Sequence, residues 1–360
     1  MSNRRQFLTT VALGSVGLIS ARPSLYFNFN KPKEKYGVAL IGLGGYSTHQ
    51  LAPALQKTQQ CYLAGVVTGT PAKATSWQEK YQLATKNIYN YENFDSIANN
   101  PDIDIVYVVL PNHLHKEFTI RAAAAGKHVW CEKPMAMNAG ECQDMIVACQ
   151  KNKVTLSIGY RMQHEPITQQ VINYAKQKTF GKPKLVQTGA GFVMNATGIW
   201  RLKKSMGGGA MFDMGVYALQ GARYSIGEEP INVQATIVNH RPDMFSEVDE
   251  TTLFTLEFPS GALAQCATSL GMNMGYLNIT YEKGWCKVEP FQSYNGIAAT
   301  TKNGPIELKV DNQQAKYMDD NCISIRQNQP LLVPGEEGLR DMVIVDAIFK
   351  SAQDRRLVKL

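Results

Sequence analysis

Charge is sparse in this chain: of 360 residues, only 19% are Asp, Glu, Lys or Arg. The formal net charge of +7 suggests nucleic acid until it is located. Arg4, Arg5, Arg22, Lys31, Lys33 and Lys35, less Glu34, put +5 in the first 35 residues and leave +2 for the rest. Beyond them no basic stripe interleaved with aromatics occurs, which argues against nucleic-acid binding. No apolar run is long enough to span a bilayer comfortably. Internal repeats and low-complexity tracts are absent as well. Cysteine is scarce and scattered: Cys61, Cys131, Cys142, Cys149, Cys266, Cys286 and Cys322 are odd in number and form no Cys-x-x-Cys pair. They give neither a disulfide framework nor a metal site, and read as small buried hydrophobes. What remains is a globular composition, 44% hydrophobic, long enough for two ordinary domains.

The first thirty residues read as an address. Asn3-Arg4-Arg5-Gln6-Phe7-Leu8 is a twin-arginine signature, followed by a weakly apolar run from Val11 to Ala21. Residues 1–30 are therefore expected to be an export signal and short arm, and the mature protein to lie in the periplasm without a membrane anchor. Thiols left unpaired suit a protein folded in the reducing cytoplasm before export.

From residue 31 to about 158, short apolar runs alternate with helical stretches. Tyr36–Ile41, Tyr62–Val67, Ile105–Leu110, His128–Cys131 and Val154–Ile158 read as strands. Tyr46–Lys57, Pro71–Leu83, Leu114–Ala125 and Asn138–Lys151 read as helices between them. This alternation predicts a Rossmann-type, doubly wound parallel sheet. Residues 159–360 change character: after a helix at Glu165–Lys178, alternating runs turn at Pro259-Ser260-Gly261 and at Lys283-Gly284. These hairpins predict a second, α+β domain on an open, mainly antiparallel sheet with one face covered. A last helix, about Glu337 to Gln353, is expected to pack back on the first domain.

Gly42-Leu43-Gly44-Gly45-Tyr46 directly follows the first strand and opens a helix, where glycines permit a tight turn and the helix N-terminus favours a pyrophosphate. The third fingerprint position is Ser47, so the motif is degenerate. The second strand ends in Val67-Thr68-Gly69-Thr70 with Lys73 beyond, and has no acid to accept a ribose 2′-hydroxyl. Thr68, Thr70 and Lys73 suit a 2′-phosphate, so NADP is expected before NAD. Leu110-Pro111-Asn112-His113-Leu114-His115 lies at the carboxyl end of a strand, where open parallel sheets bind ligands. His113 and His115 lack a third metal ligand of suitable spacing, so no metal is expected. Cys131-Glu132-Lys133-Pro134 ends the next strand. Its lysine reads either as a salt bridge to Glu132 or as a group facing nicotinamide and substrate.

In the second half, Gly207-Gly208-Gly209-Ala210-Met211-Phe212-Asp213-Met214-Gly215-Val216-Tyr217 places a carboxylate and a phenol four residues apart. If Asp213 opens a helix, both side chains share one face about a turn apart, a sensible acid/base couple. The plainer alternative is a helix cap and a half-buried packing ring.

Together, the degenerate glycine loop, Pro111-Asn112 with His115, Glu132-Lys133-Pro134 and Tyr160-Arg161 resemble the Gfo/Idh/MocA oxidoreductases. Within them, Trp200-Arg201, the three-glycine run, Asp213 to Tyr217, Gly221 to Pro230 and Pro334 to Gly338 are similar to the periplasmic glucose–fructose oxidoreductase branch. The resemblance spans residues 36 to 355. It implies a catalytic Lys133, a substrate-binding Asp213 and a catalytic Tyr217. It also implies NADP contacts from the glycine loop, Pro111, Asn112, His115, Glu132, Lys133, Arg161, Trp200 and Arg201, and homo-dimers or homo-tetramers joined through the open sheet. At the N-terminus the chain departs from that branch: Tyr26-Phe27-Asn28-Phe29-Asn30 replaces a longer arm that covers the cofactor. The expected activity is hydride transfer to and from a sugar, by ping-pong with the cofactor retained, Tyr217 acting as acid/base and Lys133 assisting. A free phenol titrates near pH 10, too high for a base at neutral pH, whereas a neighbouring ammonium favours the phenolate. Two alternatives are a glycoside hydrolase working by transient NAD-dependent oxidation and a non-catalytic sugar or nucleotide sensor.

Overall fold

The computed structural model describes residues 33–360; the signal and arm expected over residues 1–30 lie outside the described residues. The first sheet is built from β1 (Tyr36–Ile41), β2 (Cys61–Val67), β3 (Ile88–Tyr89), β4 (Ile105–Val108), β5 (His128–Cys131) and β6 (Leu156–Ile158). All of its pairings are parallel, in the order β3-β2-β1-β4-β5-β6. The order reverses between β1 and β4, and in open α/β sheets ligands bind at such a switch point, beyond the carboxyl strand ends. Val38, Leu40, Val106 and Val108 are fully buried. Apolar side chains on both strand faces are what a sheet covered on both sides requires.

Helices α1 (Ala52–Leu55), α2 (Pro71–Tyr81), α3 (His115–Ala124) and α4 (Ala139–Lys151) connect these strands. The first differs from the helix expected over Tyr46–Lys57: it opens as a π-turn at Ser47–Leu51 before α1 begins. Ser47, the residue that breaks the glycine fingerprint, is fully buried and donates its hydroxyl to Gly42 O at 2.6 Å. A small hydroxyl that ties the turn to the first glycine thus takes the place where a small apolar residue is usual.

The second sheet carries nine strands: β7 (Pro183–Gly191), β8 (Asn232–Val238), β9 (Thr251–Glu257), β10 (Leu263–Ser269), β11 (Met274–Tyr281), β12 (Gly284–Val288), β13 (Ala299–Thr301), β14 (Gly304–Pro305) and β15 (Val358–Lys359). Their order is β14-β13-β12-β11-β7-β10-β9-β8-β15, antiparallel throughout except where β7 pairs parallel with β10. Both expected hairpins form, β9 with β10 and β11 with β12. Helices α5 (Pro166–Gln177) and α6 (Val216–Ile226) cover one face. Phe254, Leu256, Ala264, Cys266, Leu277 and Ile279 point into that core, while Leu253, Leu263 and Trp285 face outward and are exposed.

Two C-terminal helices, not one, return to the first domain. α8 (Gly335–Asp354) packs on α4 and β8, and Ile158 N donates to Val333 O at 3.0 Å just before it. α7 (Gln313–Gln327) was not expected; its weakly apolar sequence hides it. It buries Tyr317, Met318 and Cys322 against Tyr107 and Trp130.

All seven thiols are free and buried, as small hydrophobes are. Among the described residues no helix is long and apolar enough to cross a membrane.

Candidate active site

A cleft of about 1150 Å³ runs from the carboxyl ends of β1, β2, β4 and β5 to the strand ends of β7, β11 and β12 in the second sheet. Gly42, Leu43, Gly44, Gly45 and Tyr46 line its nucleotide end, with Thr68, Thr70 and Lys73 beside them and Pro111 and Asn112 opposite. Gly42 sits at φ +93°, and a Cβ there would lie 2.4 Å from Val109 O, so backbone alone fits. A Cβ at Gly44 would meet nothing within 4 Å, leaving open space at the helix start. Lys73 Nζ donates to Leu43 O at 3.2 Å, which folds its ammonium over the glycine loop. A tight turn, an open helix N-terminus and a cation with no acid at the end of β2 fit a dinucleotide carrying a 2′-phosphate. Tyr91, which lies against Gly69, also lines this end and had no signal in the sequence.

The chemical end is assembled from both domains. Lys133, just past β5, donates from Nζ to the Asp213 backbone carbonyl, and its Nζ is 3.8 Å from Asp213 Oδ1. The same ammonium lies 4.7 Å from the Tyr217 ring centroid. Asp213 Oδ2 accepts from Arg201 Nε at 2.8 Å, and the Arg201 guanidinium stacks on Trp200 at 4.5 Å. The Lys133 ammonium therefore faces the carboxylate and the phenol of the other domain, while Glu132 is met by the Lys133 backbone N–H at 3.3 Å.

Asp213 does not open the helix. It lies inside a π-turn, Met211–Gly215, that runs straight into α6. The N-terminus is held instead by Asp249, whose Oδ2 accepts from Met211 N at 2.8 Å and from Thr252 Oγ1 at 2.7 Å. Burial pushes the Asp249 carboxyl up, against those hydrogen bonds. Gly209, at φ +106°, is the only kind of residue that fits there: a Cβ would stand 2.1 Å from Asp249 Oδ1. Asp249 is 38 residues from Met211 in sequence, too far for a capping pattern to reveal. Freed from capping, Asp213 turns its carboxylate into the cleft, and the π-turn brings it to the same wall as Tyr217.

Glu132 is buried beneath Lys133, and its Oε1 accepts from Tyr107 Oη at 2.7 Å. Burial pushes the Glu132 carboxyl up. Gly159 leaves room for it, since a Cβ there would approach Oε1 to 2.7 Å.

Arg161 lines the floor, 3% exposed, with its guanidinium 5.3 Å from the Tyr217 ring and 4.5 Å from the Tyr294 ring. It donates to Gln292 O, Ser293 O and Gln313 Oε1. His115 stands apart from the other expected cofactor residues. It does not line the cleft: its ring is buried, with Nδ1 2.9 Å from Pro134 O and Nε2 2.9 Å from Leu110 O. Burial pushes the imidazole down. It ties the turn after β4 to the turn after β5, so its effect on the cleft is through the backbone. Gln292, Ser293, Tyr294, Asn273 and Met274 also line the cleft and carry no motif that would have marked them. Among the described residues no group of three His, Cys, Asp or Glu is placed to hold a metal ion.

A doubly wound sheet with a glycine turn at its switch point, whose Lys133 faces a carboxylate and a phenol from the other domain, has the arrangement of a nicotinamide-dependent oxidoreductase. Residues 36–160 match the oxidoreductase family with an NAD-binding Rossmann fold, and residues 168–287 match the GFO/IDH/MocA C-terminal domain. The chain belongs to the Gfo/Idh/MocA oxidoreductase family. It is 39% identical to an aldose-aldose oxidoreductase from Caulobacter crescentus, solved with glycerol. That likeness covers 91% of this chain and 100% of that one, at a TM-score of 0.88. It is 26% identical to a D-xylose 1-dehydrogenase [NADP(+)] of Haloarcula marismortui, over 89% of this chain and 92% of that protein. A 3-ketoreductase from Actinomadura kijaniata, solved with TDP-benzene and NADP, shares the fold at 21% identity and a TM-score of 0.78, over 88% and 98% of the two chains. The protein is an NAD(P)-dependent oxidoreductase.

Proposed function

We propose that the protein is an NADP-dependent sugar oxidoreductase that moves hydride between two sugars without releasing its cofactor. One observation carries the reading. Lys133 from the first domain meets Asp213 and Tyr217 from the second, within 3.8 Å of the carboxylate and 4.7 Å of the ring. The names of the aldose and xylose oxidoreductase relatives support a sugar as substrate.

The glycine loop and helix N-terminus would hold the pyrophosphate, and Thr68, Thr70 and Lys73 the 2′-phosphate. When bound, the nicotinamide supplies hydride acceptance and donation. The chain's own residues manage the proton. Tyr217 takes it from the hydroxyl being oxidised and returns it when a carbonyl is reduced. Lys133 holds the same oxygen and keeps a positive charge beside it as charge develops. Asp213 accepts a neighbouring sugar hydroxyl, exchanging its bond to Arg201 for one to substrate. The cleft walls, Trp200 and Phe192 among them, exclude water from the reacting carbon.

Retention is inferred from the export signal: outside the cytoplasm free NADP is scarce, and an enzyme that released NADPH would stall. The periplasm is accordingly the proposed location. A homo-oligomer is proposed through the open face of the second sheet, where Leu253 and Leu263 are 47% and 43% exposed.

The test is to release the cofactor from natively purified protein, identify it by mass, and screen aldoses for reduction of the bound form. NADP recovered in stoichiometric amount and reduced by a sugar supports the reading. Protein that neither holds nor binds a nicotinamide dinucleotide overturns it.

A further inference from the structure

The segment after β12 reaches across the cleft. Phe291 N donates to Gly275 O at 2.7 Å and Gln292 Nε2 to Met274 O at 2.8 Å, which fastens the segment to β11. From the other side the buried Arg161 guanidinium donates to Gln292 O and Ser293 O, and Gln313 Nε2 also donates to Ser293 O at 3.2 Å. Held at both sides, the segment projects Tyr294 beyond its anchors. Its ring lies 4.5 Å from the Arg161 guanidinium on one side and 6.0 Å, centroid to centroid, from the Tyr46 ring on the other.

Tyr46 is the last residue of the glycine loop, so a ring of the second domain touches the turn where a pyrophosphate would lie. Both rings line the cleft, yet Tyr294 is 40% exposed. The Tyr294 ring therefore stands at the wall of the cleft and is not part of a buried core.

We propose that Tyr294 and Tyr46 form an aromatic clasp across the cleft mouth that holds the bound dinucleotide. The inference rests on the proposed nicotinamide dinucleotide site. The dinucleotide leaves only after the two rings part and Tyr294 swings off Arg161. Ring–ring and cation–ring contacts are each a modest barrier, and together they slow exit by about tenfold or more. The Tyr294 ring, not its hydroxyl, provides this barrier.

The experiment is the dissociation rate of NADPH, followed by loss of its bound-state fluorescence when excess NADP displaces it. It compares wild type with Tyr294→Phe, Tyr294→Ala, Tyr46→Ala and the double alanine variant. The expected result is dissociation about tenfold faster or more in Tyr294→Ala and within about twofold of wild type in Tyr294→Phe. The double variant should be no faster than the faster single one, because removing either ring opens the same clasp. Equal rates in wild type and Tyr294→Ala overturn the clasp while leaving the cofactor site standing, as do fully multiplicative effects of the two alanines. Wild type that binds no NADPH overturns the cofactor reading and the clasp with it. Tyr294 is exposed, so its alanine variant keeps the core intact; unchanged thermal unfolding confirms that the rate reports the clasp.

Discussion

Replacing Arg223 with methionine should loosen the helix that carries Tyr217 without touching the cleft. Arg223 is 3% exposed on α6 and donates through Nε and Nη2 to Glu229 at 2.8 and 2.6 Å. It also reaches Glu337 at 2.9 Å and the fully buried Asp341, both on α8. Gln220 Nε2, one turn earlier on α6, donates to Asp341 Oδ2 at 2.8 Å. Methionine fills most of the volume but leaves Asp341 without its cation. Breaking a buried pair this way costs about 3–5 kcal/mol. For a chain of 360 residues, about 1–2 °C of melting temperature is lost per kcal/mol, so a fall on the order of 5 °C is expected at neutral pH.

The pH dependence carries the sharper signature. Burial pushes the Asp341 carboxyl up, with Arg223 opposing, so in the folded state it binds a proton more readily than when unfolded. A raised carboxyl destabilises the fold as pH rises from the unfolded value through the folded one. Glu337 is the opposite case: burial raises it, but Arg223 and Arg340 outweigh burial and hold it down. Its contribution is present above the unfolded carboxyl range and fades as pH falls through its folded value. Without Arg223 the Asp341 carboxyl rises further, and Glu337 is held down less. Wild type and variant should therefore differ most near pH 7 and least near pH 5, where Asp341 can take up a proton. Thermal unfolding across that range measures it. A deficit that is the same at both ends, or under about 1 kcal/mol throughout, would refute the assignment of a cation that neutralises a buried acid.

Asp249→Ala removes the cap from the π-turn and α6; a loss of about 1–2 kcal/mol is expected, with a larger proportional loss in sugar affinity than in cofactor affinity, read by unfolding and binding titrations. Gly42→Ala forces a Cβ into Val109 O, and should cost most of the dinucleotide affinity. Isothermal titration with NADPH checks this. Lys73→Ala should weaken NADPH by about tenfold or more while leaving NADH within about twofold, because only the former carries a phosphate for the ammonium to meet; equal losses for both would assign Lys73 to the loop alone.

Much of the first domain was legible because its signals are local. Near-continuous apolar strands and the helices between them give the wrong period for anything but an alternating sheet. The glycine loop could be placed because glycine is the residue such a turn demands. Lys133 and Asp213 could be joined only through the family resemblance: 80 residues separate them, and the packing of two domains is what brings Nζ to the carboxylate. α7 escaped notice because its buried side is made of Tyr317, Met318 and Cys322 among polar neighbours, a weak stripe that gains meaning only against Trp130. Asp249 escaped for a related reason, since a cap supplied from the loop before β9 leaves no mark beside the helix it holds. Tyr294 lies in a segment without periodicity, so its place over the glycine loop is set by Arg161 and β11 rather than by its own sequence. In sequence Asp213 reads as a residue that could open or cap the helix; with the capping done by Asp249, its carboxylate is left to line the cleft.

The central claim is that Tyr217 moves the proton when a sugar hydroxyl gives up its hydride. The most direct measurement is a single-turnover mixing of NADP-loaded protein with an aldose that reduces it, in wild type and Tyr217→Phe, followed by nicotinamide absorbance. The variant is expected to keep NADPH and sugar affinity within a few-fold and to lose the reduction step by about 10²–10⁴-fold, the usual contribution of a positioned acid/base group. A Tyr217→Phe protein that reduces its bound cofactor at the wild-type rate would contradict the account.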